Sequence, residues 1–337
     1  MMNQPLVLAV DGGQSSTMAM VATHNGEIVG VGLAGPSNHI HEPGGPERLR
    51  NALTQSIQEA LAAAQHSPDA VQHACFGMTG AMEMAADIGQ ELLPHTTIQS
   101  LHDIVTALAG ASLAQPGVVV IAGTGAIAYG RLADGREAKA GGWGYIMGDE
   151  GSGYDIGRAA LRAATQGSDR RAPATMLTQL IPAQLDVADL TAVHKLIYSG
   201  ALTRPQIARL TVSVVRADQQ GDAAARALLE EAGQHLAAAA LAVINQLGLS
   251  EIGIDVFPTG GIFEASERVN AAFQQAVTQG SPAAAVKVAA FPPIIGGLLL
   301  ALQAAGSAID TALINHLRAS FPQAAASKHK AREQEAD

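Results

Sequence analysis

The chain has 337 residues and is 48% hydrophobic, which is enough for a large core and, on length alone, for two domains. Its net charge of −10 leaves no electrostatic footprint for nucleic acid and repels ATP at long range, so a nucleotide site would have to work locally, through backbone amides and a metal ion. One cysteine, Cys75, excludes a disulfide framework or an Fe–S cluster ligated within one chain, and its run Ala74-Cys75-Phe76 reads as buried.

Leu6–Val10 is an apolar run of strand length that ends in Asp11-Gly12-Gly13. A second strand is predicted over Thr17–Thr23, a turn at Asn25-Gly26 and a third strand over Glu27–Leu33, because Asn-Gly between apolar runs signals a hairpin. No basic region and apolar stretch of signal-peptide type precede these strands, so a cytoplasmic location is expected. Pro46–Gln65 reads as an amphipathic helix, Ala70–Gly77 and Thr97–Leu101 as strands, and Ile104–Leu113 as a helix. Gln115-Pro116-Gly117 is a turn and a natural boundary.

The opening pattern then recurs. Val118–Ala122 ends in Gly123-Thr124-Gly125, a strand follows at Ala126–Leu132, then Asp134-Gly135 and Arg136–Ala140. This internal repeat predicts two similar α/β halves, each presenting a glycine turn to a shared cleft. The first domain is expected over residues 1–115 and the second over 116–321, with helical additions and a last helix able to pack back on the first. Helices are predicted over Glu150–Gln166, Ala172–Ile181, Ala188–Tyr198, Arg204–Ala217 and Ala223–Leu247, the last capped by Asp222 and ended by Gly248. Ile252–Phe257 is a strand running into Pro258-Thr259-Gly260-Gly261, and a helix follows from Ser266. Val286–Ala290 is the last strand, Ile294–Ala305 the last long helix, and Pro322–Asp337 a frayed tail. The most apolar stretches, Leu236–Ile244 and Ile294–Ala305, fall short of the ~20 residues that span a bilayer.

Adjacent glycines between strands let backbone N–H groups approach a phosphate closely. Gly12 and Gly13, with hydroxyls at Ser15 and Ser16, form one such turn, and Asp11 could hold Mg²⁺ directly or through water. Gly123 and Thr124 form a second, and Gly260 and Gly261 would admit a flat adenosine. The chain has no P-loop and no Rossmann fingerprint. The most specific segment is Gly141-Gly142-Trp143-Gly144-Tyr145-Ile146-Met147-Gly148-Asp149-Glu150-Gly151-Ser152-Gly153. So many glycines are costly to order unless the backbone must pass near a ligand, and the single Trp suits a sugar face. Asp103 follows a strand and opens a helix, so it is either a general base or an N-cap. Asn38 can both donate to and accept from sugar hydroxyls, or simply serve a turn. His39 and His41 lack a clear third partner for a metal.

The order Asp11-Gly-Gly-Gln-Ser, Gly35-Pro-Ser-Asn38-His, His102-Asp103, Ala122-Gly-Thr-Gly125, the glycine segment from Gly141 to Gly153 and Thr259-Gly-Gly261 resembles the N-acetylglucosamine kinases of the BadF/BadG/BcrA/BcrD-type ATPase family, within the actin–hexokinase–Hsp70 superfamily. The resemblance implies an α/β fold of two actin-like, ribonuclease H-like ATPase domains around a central cleft. It implies ATP and Mg²⁺ as cofactors, with Asp11 organising the metal and Gly12, Gly13, Ser15, Gly123, Thr124, Gly260 and Gly261 lining the nucleotide. Asn38, Asp103, Gly142, Trp143, Gly144 and Asp149 would hold the sugar, and Asp103 would deprotonate its 6-hydroxyl. Ala217–Asp222 would approach the adenosine. Gln14 and Ser15 stand where Gly and Thr are common, Ile104 where a small residue is usual, and Ala126 where Ser is frequent. The partners implied are an amino sugar and ATP, with neither nucleic acid nor a membrane. A homodimer is compatible with the family, but no residue pattern here derives one. N-acetylglucosamine is the expected sugar, with glucosamine and N-acetylmuramic acid as alternatives. An ATPase activating a partner reductase and a non-catalytic sugar sensor are the competing functions.

Overall fold

The computed structural model describes residues 5–13, 15–38, 40–249 and 251–321. Gln14, His39 and the predicted tail Pro322–Asp337 lie outside them. The described chain forms two units. One takes the residues up to Gln115 and from Ala289 on, the other Pro116–Val288.

The first unit opens with β1 (Leu6–Gly12), β2 (Thr17–Thr23) and β3 (Ile28–Ala34), then α1 (Gly45–Ala64), β4 (Val71–Met78), α2 (Met82–Leu92), β5 (Thr97–His102) and α3 (Asp103–Ser112). Its sheet order is β3-β2-β1-β4-β5. The two hairpin pairs are antiparallel, and β1, β4 and β5 run parallel. The register sets Gly12 beside Met78 and Met78 beside His102. The residues that follow these strands therefore emerge together at one end of the sheet. One face of β1 buries Leu6, Leu8 and Val10 with Leu49, Leu53 and Ile57 of α1.

The second unit repeats this plan with β6 (Gly117–Ala122), β7 (Ala126–Arg131) and β8 (Glu137–Gly141). Helices α4 (Gly153–Ser168), α5 (Leu177–Gln184), α6 (Leu190–Tyr198), α7 (Arg204–Arg209), α8 (Thr211–Gln219) and α9 (Ala223–Gln246) come next. They are followed by β9 (Asp255–Thr259), α10 (Gly261–Ala265), α11 (Glu267–Gly280) and β10 (Ala285–Val286). The sheet order is β10-β9-β6-β7-β8, with β6 parallel to β9 and β9 to β10. The repeat seen in three strands thus extends to five.

By length and composition α9 could cross a bilayer. Here Leu229, Leu236, Ala240, Val243 and Ile244 are buried against the sheet in the core of the second unit. Asp222 caps this helix, accepting from the Ala225 N–H at 2.9 Å. The same carboxylate accepts from the Thr175 hydroxyl (2.9 Å) and the Met176 N–H (2.6 Å). These bonds hold Thr175 and Met176 outside α5, so the helix predicted from Ala172 starts only at Leu177. The single helix predicted over Arg204–Ala217 divides at Leu210 into α7 and α8.

Helix α12 (Pro293–Ala304), expected within the second domain but able to pack back on the first, belongs to the first unit, as does the helical stretch 311–321 that follows it. Its Ile295, Leu298, Leu299 and Leu302 bury the face of the sheet that carries Val7, Ala9, Met20 and Cys75. Apolar side chains all round a short helix leave it no solvent face, and burial between sheet and helix satisfies it. α12 also crosses α3 at contact distance: a methyl built on Gly296 would lie 1.8 Å from the Thr106 carbonyl oxygen and 2.4 Å from the Gly110 nitrogen. Gly296→Ala is therefore expected to cost about 1–3 kcal/mol through overpacking, read as a lower urea midpoint at unchanged slope. An unchanged midpoint would mean that the crossing is not as tight as this.

Candidate active site

In the first unit the predicted residues gather at the ends of β1, β4 and β5. Asp11 is part-buried at the end of β1, Gly12 and Gly13 follow, and Ser15 is exposed. The turn closes through Gly13 N–H to the Ser16 carbonyl at 3.1 Å. The Gly13 carbonyl accepts from the Ser37 N–H at 3.2 Å, which brings the Asn38 loop alongside. A Cβ on Gly12 would meet the Ser37 hydroxyl at 2.7 Å and the end of the Met78 side chain at 2.5 Å, so a larger residue there would have to displace both.

Asn38 is 5% exposed. Its Oδ1, the Ser37 hydroxyl and the Thr17 hydroxyl are buried without a partner among the described residues. Buried polar atoms are rarely left so. Thr17 and Ser37 carried no signal in the sequence beyond their nearness to the motif residues.

Asp103 is the first residue of α3, and the N-cap position belongs to His102. One Asp103 oxygen, Oδ2, accepts from the Thr79 hydroxyl at 2.6 Å. The other, Oδ1, lies 2.6 Å from His102 Nδ1. Two lone pairs cannot face each other at that separation, so Nδ1 carries the proton, and the 3.3 Å approach of the Ile104 N–H to the same nitrogen is then not a capping hydrogen bond. Burial works to raise the Asp103 pKa, but the His102 and Thr79 hydrogen bonds, the His102 charge and the Ile104 N–H outweigh it and hold the carboxyl below its ordinary range. Asp103 is thus ionised at neutral pH and equipped to accept a proton. Thr79 is a residue the sequence did not mark, although a Thr-Gly pair follows an apolar strand in both halves, as Thr79-Gly80 and Thr259-Gly260.

Asp11 bears on metal binding. Among the described residues no group of three or more His, Cys, Asp or Glu side chains is placed to hold an ion. A single carboxylate fits Mg²⁺ carried in on phosphates, since that ion keeps several waters and takes only one or two protein carboxylates.

In the second unit the turn Gly123-Thr124-Gly125 is closed by Gly123 N–H to the Gly125 carbonyl at 2.9 Å. The first turn of α4 grips it from outside: Gly153 and Tyr154 donate to the Gly123 and Thr124 carbonyls at 2.8 and 3.3 Å. The register places Thr259 beside Ile121, so Gly260 and Gly261 emerge next to this turn. Gly260 has φ +98°, and a Cβ there would meet the Ala122 carbonyl at 2.5 Å, so the protein's own packing demands it. A Cβ on Gly123 or Gly261 would meet nothing within 4 Å. Those two positions face open space, where a ligand could come close.

The segment 141–153 wraps round the same turn. Gly141, Gly142 and Gly144 all take positive φ. Trp143 is 68% exposed and free to lie against a flat face, and Ile146 and Met147 are exposed beside it. Asp149 differs from its neighbours in being 4% exposed. Its Oδ1 accepts from the Ala126 N–H at 3.2 Å, and its Oδ2 from Arg204 Nη2 at 2.7 Å. The Arg204 guanidinium in turn sits 5.0 Å from the Tyr145 ring centre and 5.9 Å from that of Tyr154. The carboxylate expected on the sugar is therefore tied to the strand after the second glycine turn. Arg204, 55 residues away in sequence, carried no local signal. Ala217–Asp222 closes α8 and opens α9, and the Asp222 carboxylate is committed to capping.

Known proteins resemble this chain over most of its length. An N-acetylmuramic acid/N-acetylglucosamine kinase of Clostridium acetobutylicum is 33% identical over 261 residues, covering 76% of this chain and 85% of that protein. An N-acetyl-D-glucosamine kinase of Dictyostelium discoideum is 28% identical over 323 residues, covering 89% and 99%. A solved structure from Chromobacterium violaceum, provisionally assigned as an N-acetylglucosamine kinase, superposes with a TM-score of 0.69 at 25% identity over 89% of this chain and 100% of that one. The profile of the BadF/BadG/BcrA/BcrD ATPase family matches residues 8–301, both glycine turns and the Gly141–Gly153 segment included, and the chain belongs to that family.

Proposed function

We propose that the chain is an ATP-dependent kinase that transfers the γ-phosphoryl group to the 6-hydroxyl of an amino sugar, with N-acetylglucosamine as its sugar. The observation that carries this reading is Asp103: a carboxylate at the end of a parallel strand, held ionised, and joined through Thr79 to the first glycine turn. The Clostridium and Dictyostelium relatives, both named for kinase action on N-acetylated amino sugars, support it.

In this mechanism Asp103 takes the proton of the 6-hydroxyl as its oxygen forms the new bond to the γ-phosphorus. The bond from that phosphorus to the β–γ bridging oxygen breaks, ADP leaves, and the proton departs from Asp103 to solvent. Such a transfer needs positioning and charge neutralisation more than covalent help. Backbone N–H groups of Gly12, Gly13, Gly123 and Thr124, with the Ser15 hydroxyl, would hold phosphates, and Gly260 and Gly261 would lie against the adenosine. Asp11 would contribute a ligand to Mg²⁺, which supplies neutralising charge on those phosphates when bound. Asn38, Gly142, Trp143 and Gly144 would hold the sugar, with Asp149 ordering the segment that carries Trp143. The cytoplasm, where ATP is available, is the setting such a kinase requires.

The test is ADP release by the purified protein with Mg-ATP and, in parallel, N-acetylglucosamine, glucosamine, N-acetylmuramic acid, glucose or no sugar. Strong release with N-acetylglucosamine and little without sugar is expected. Release indifferent to sugar would favour an ATPase acting on a partner protein. Sugar binding without any release would favour a sensor.

A further inference from the structure

We infer that Thr79 and His102 are positioning residues for Asp103, a clamp that fixes the plane of the carboxylate from both of its oxygens. The inference rests on the proposed role of Asp103 as the base and adds two residues to it.

The geometry is specific. A carboxylate on Cβ rotates freely about its last bond when one oxygen alone is held. Here Oδ2 is held by the Thr79 hydroxyl and Oδ1 by His102 Nδ1, each at 2.6 Å. The remaining lone pairs stay available to a reacting hydroxyl. Both clamps are themselves anchored. The Thr79 N–H donates to the Gly12 carbonyl at 3.1 Å, and Gly80, at φ +82°, turns the chain sharply behind it. Thr79 is β-branched, so its hydroxyl has few orientations to choose from. His102 ends β5, its backbone paired in register with Met78. One residue, Thr79, thus joins the first glycine turn to the base through its amide and its hydroxyl.

Of the groups that act on Asp103, His102 is the titratable one, while Thr79 at the end of β4 and the Ile104 N–H in α3 are neutral. α12, which also packs on α3, brings apolar residues to that helix. Neither clamp residue is required to touch the sugar. Each acts by holding the acceptor where the proton will be, and errors of about 1 Å in such placement cost on the order of 10²-fold in rate.

A purely structural role, such as steadying the start of α3, would change stability and leave the pH dependence alone. The experiment therefore compares Thr79→Val, Thr79→Ser, His102→Ala, Asp103→Asn and the double variant Thr79→Val/Asp103→Asn in the sugar-dependent ADP assay across pH. Losing a hydrogen bond to a charged group should lower kcat in Thr79→Val and His102→Ala by about 10- to 100-fold, with little change in the sugar KM. The acid limb of kcat/KM should move toward neutral pH in both, because the donors that depress the Asp103 pKa are gone. Thr79→Ser should recover most of the rate. In the Asp103→Asn background, Thr79→Val should cost nothing further, since it acts only through the carboxylate. Wild-type kcat and an unmoved acid limb in Thr79→Val would overturn the proposal, as would a further loss in the double variant. Full activity of Asp103→Asn would instead overturn the base assignment, so the two failures are told apart.

Discussion

Replacing Asp103 by asparagine is expected to leave ATP and sugar binding in place and to lower turnover by about 10²-fold or more, the scale of a positioned general base. The substitution is close to isosteric, and the local network can accept it. The asparagine oxygen can take the His102 Nδ1 proton, while its amide donates to the Thr79 hydroxyl, which can turn to accept. What is lost is the negative charge and the capacity to receive a proton. The pH dependence has a definite sign. A base must be deprotonated to act, and the His102 and Thr79 hydrogen bonds depress the Asp103 pKa despite its burial. The wild-type rate should therefore persist into acid and fall only as pH drops through that lowered value, below the ordinary carboxylate range. Calorimetric titration with sugar, beside steady-state kinetics, separates binding from turnover. Retained turnover in Asp103→Asn would remove Asp103 as the base.

The sequence made the glycine turns and their hairpins legible because both are local signals, in which turn chemistry and apolar runs are read within a few residues of each other. The fivefold strand correspondence was not legible. β4 and β5 are matched by β9 and β10, but six helices intervene before β9, and β10 has only two residues. α12 announced itself as buried by its composition, yet no local pattern says which sheet will bury it. α2 went unpredicted, and the helix expected from Ala172 was too long because Asp222, 47 residues from Thr175, draws that stretch out of the helix. At the site, position alone left Asp103 undecided between base and cap. In the structure His102 occupies the N-cap position and Asp103, the first helical residue, accepts from Thr79. Thr79 and Arg204 were missed for one reason: each acts on a partner far along the chain, and spacing rules see only near neighbours.

Arg204→Met should strongly destabilise the second unit. Asp149 has 5% of its side chain exposed, against 33% for Arg204. Removing the guanidinium leaves a buried carboxylate with one backbone donor, the Ala126 N–H. Breaking a buried pair costs about 3–5 kcal/mol, and the partial exposure of Arg204 puts the expectation at the low end, about 3 kcal/mol. Asp149 also holds a left-handed backbone at φ 63°, so the segment around it is costly to keep in place without that anchor. Two roles for Asp149 then make different predictions. If it contacts the sugar directly, Asp149→Asn should raise the sugar KM while Tm stays near wild type. If it orders the segment that carries Trp143, Asp149→Asn and Arg204→Met should each lower Tm by several degrees and weaken sugar use together. In the double variant the two losses should then fall well short of additive, because the second change removes a charge that the first had already stranded. Additive losses would mean that Arg204 and Asp149 act separately, and that the guanidinium beside Tyr145 and Tyr154 does not hold the segment.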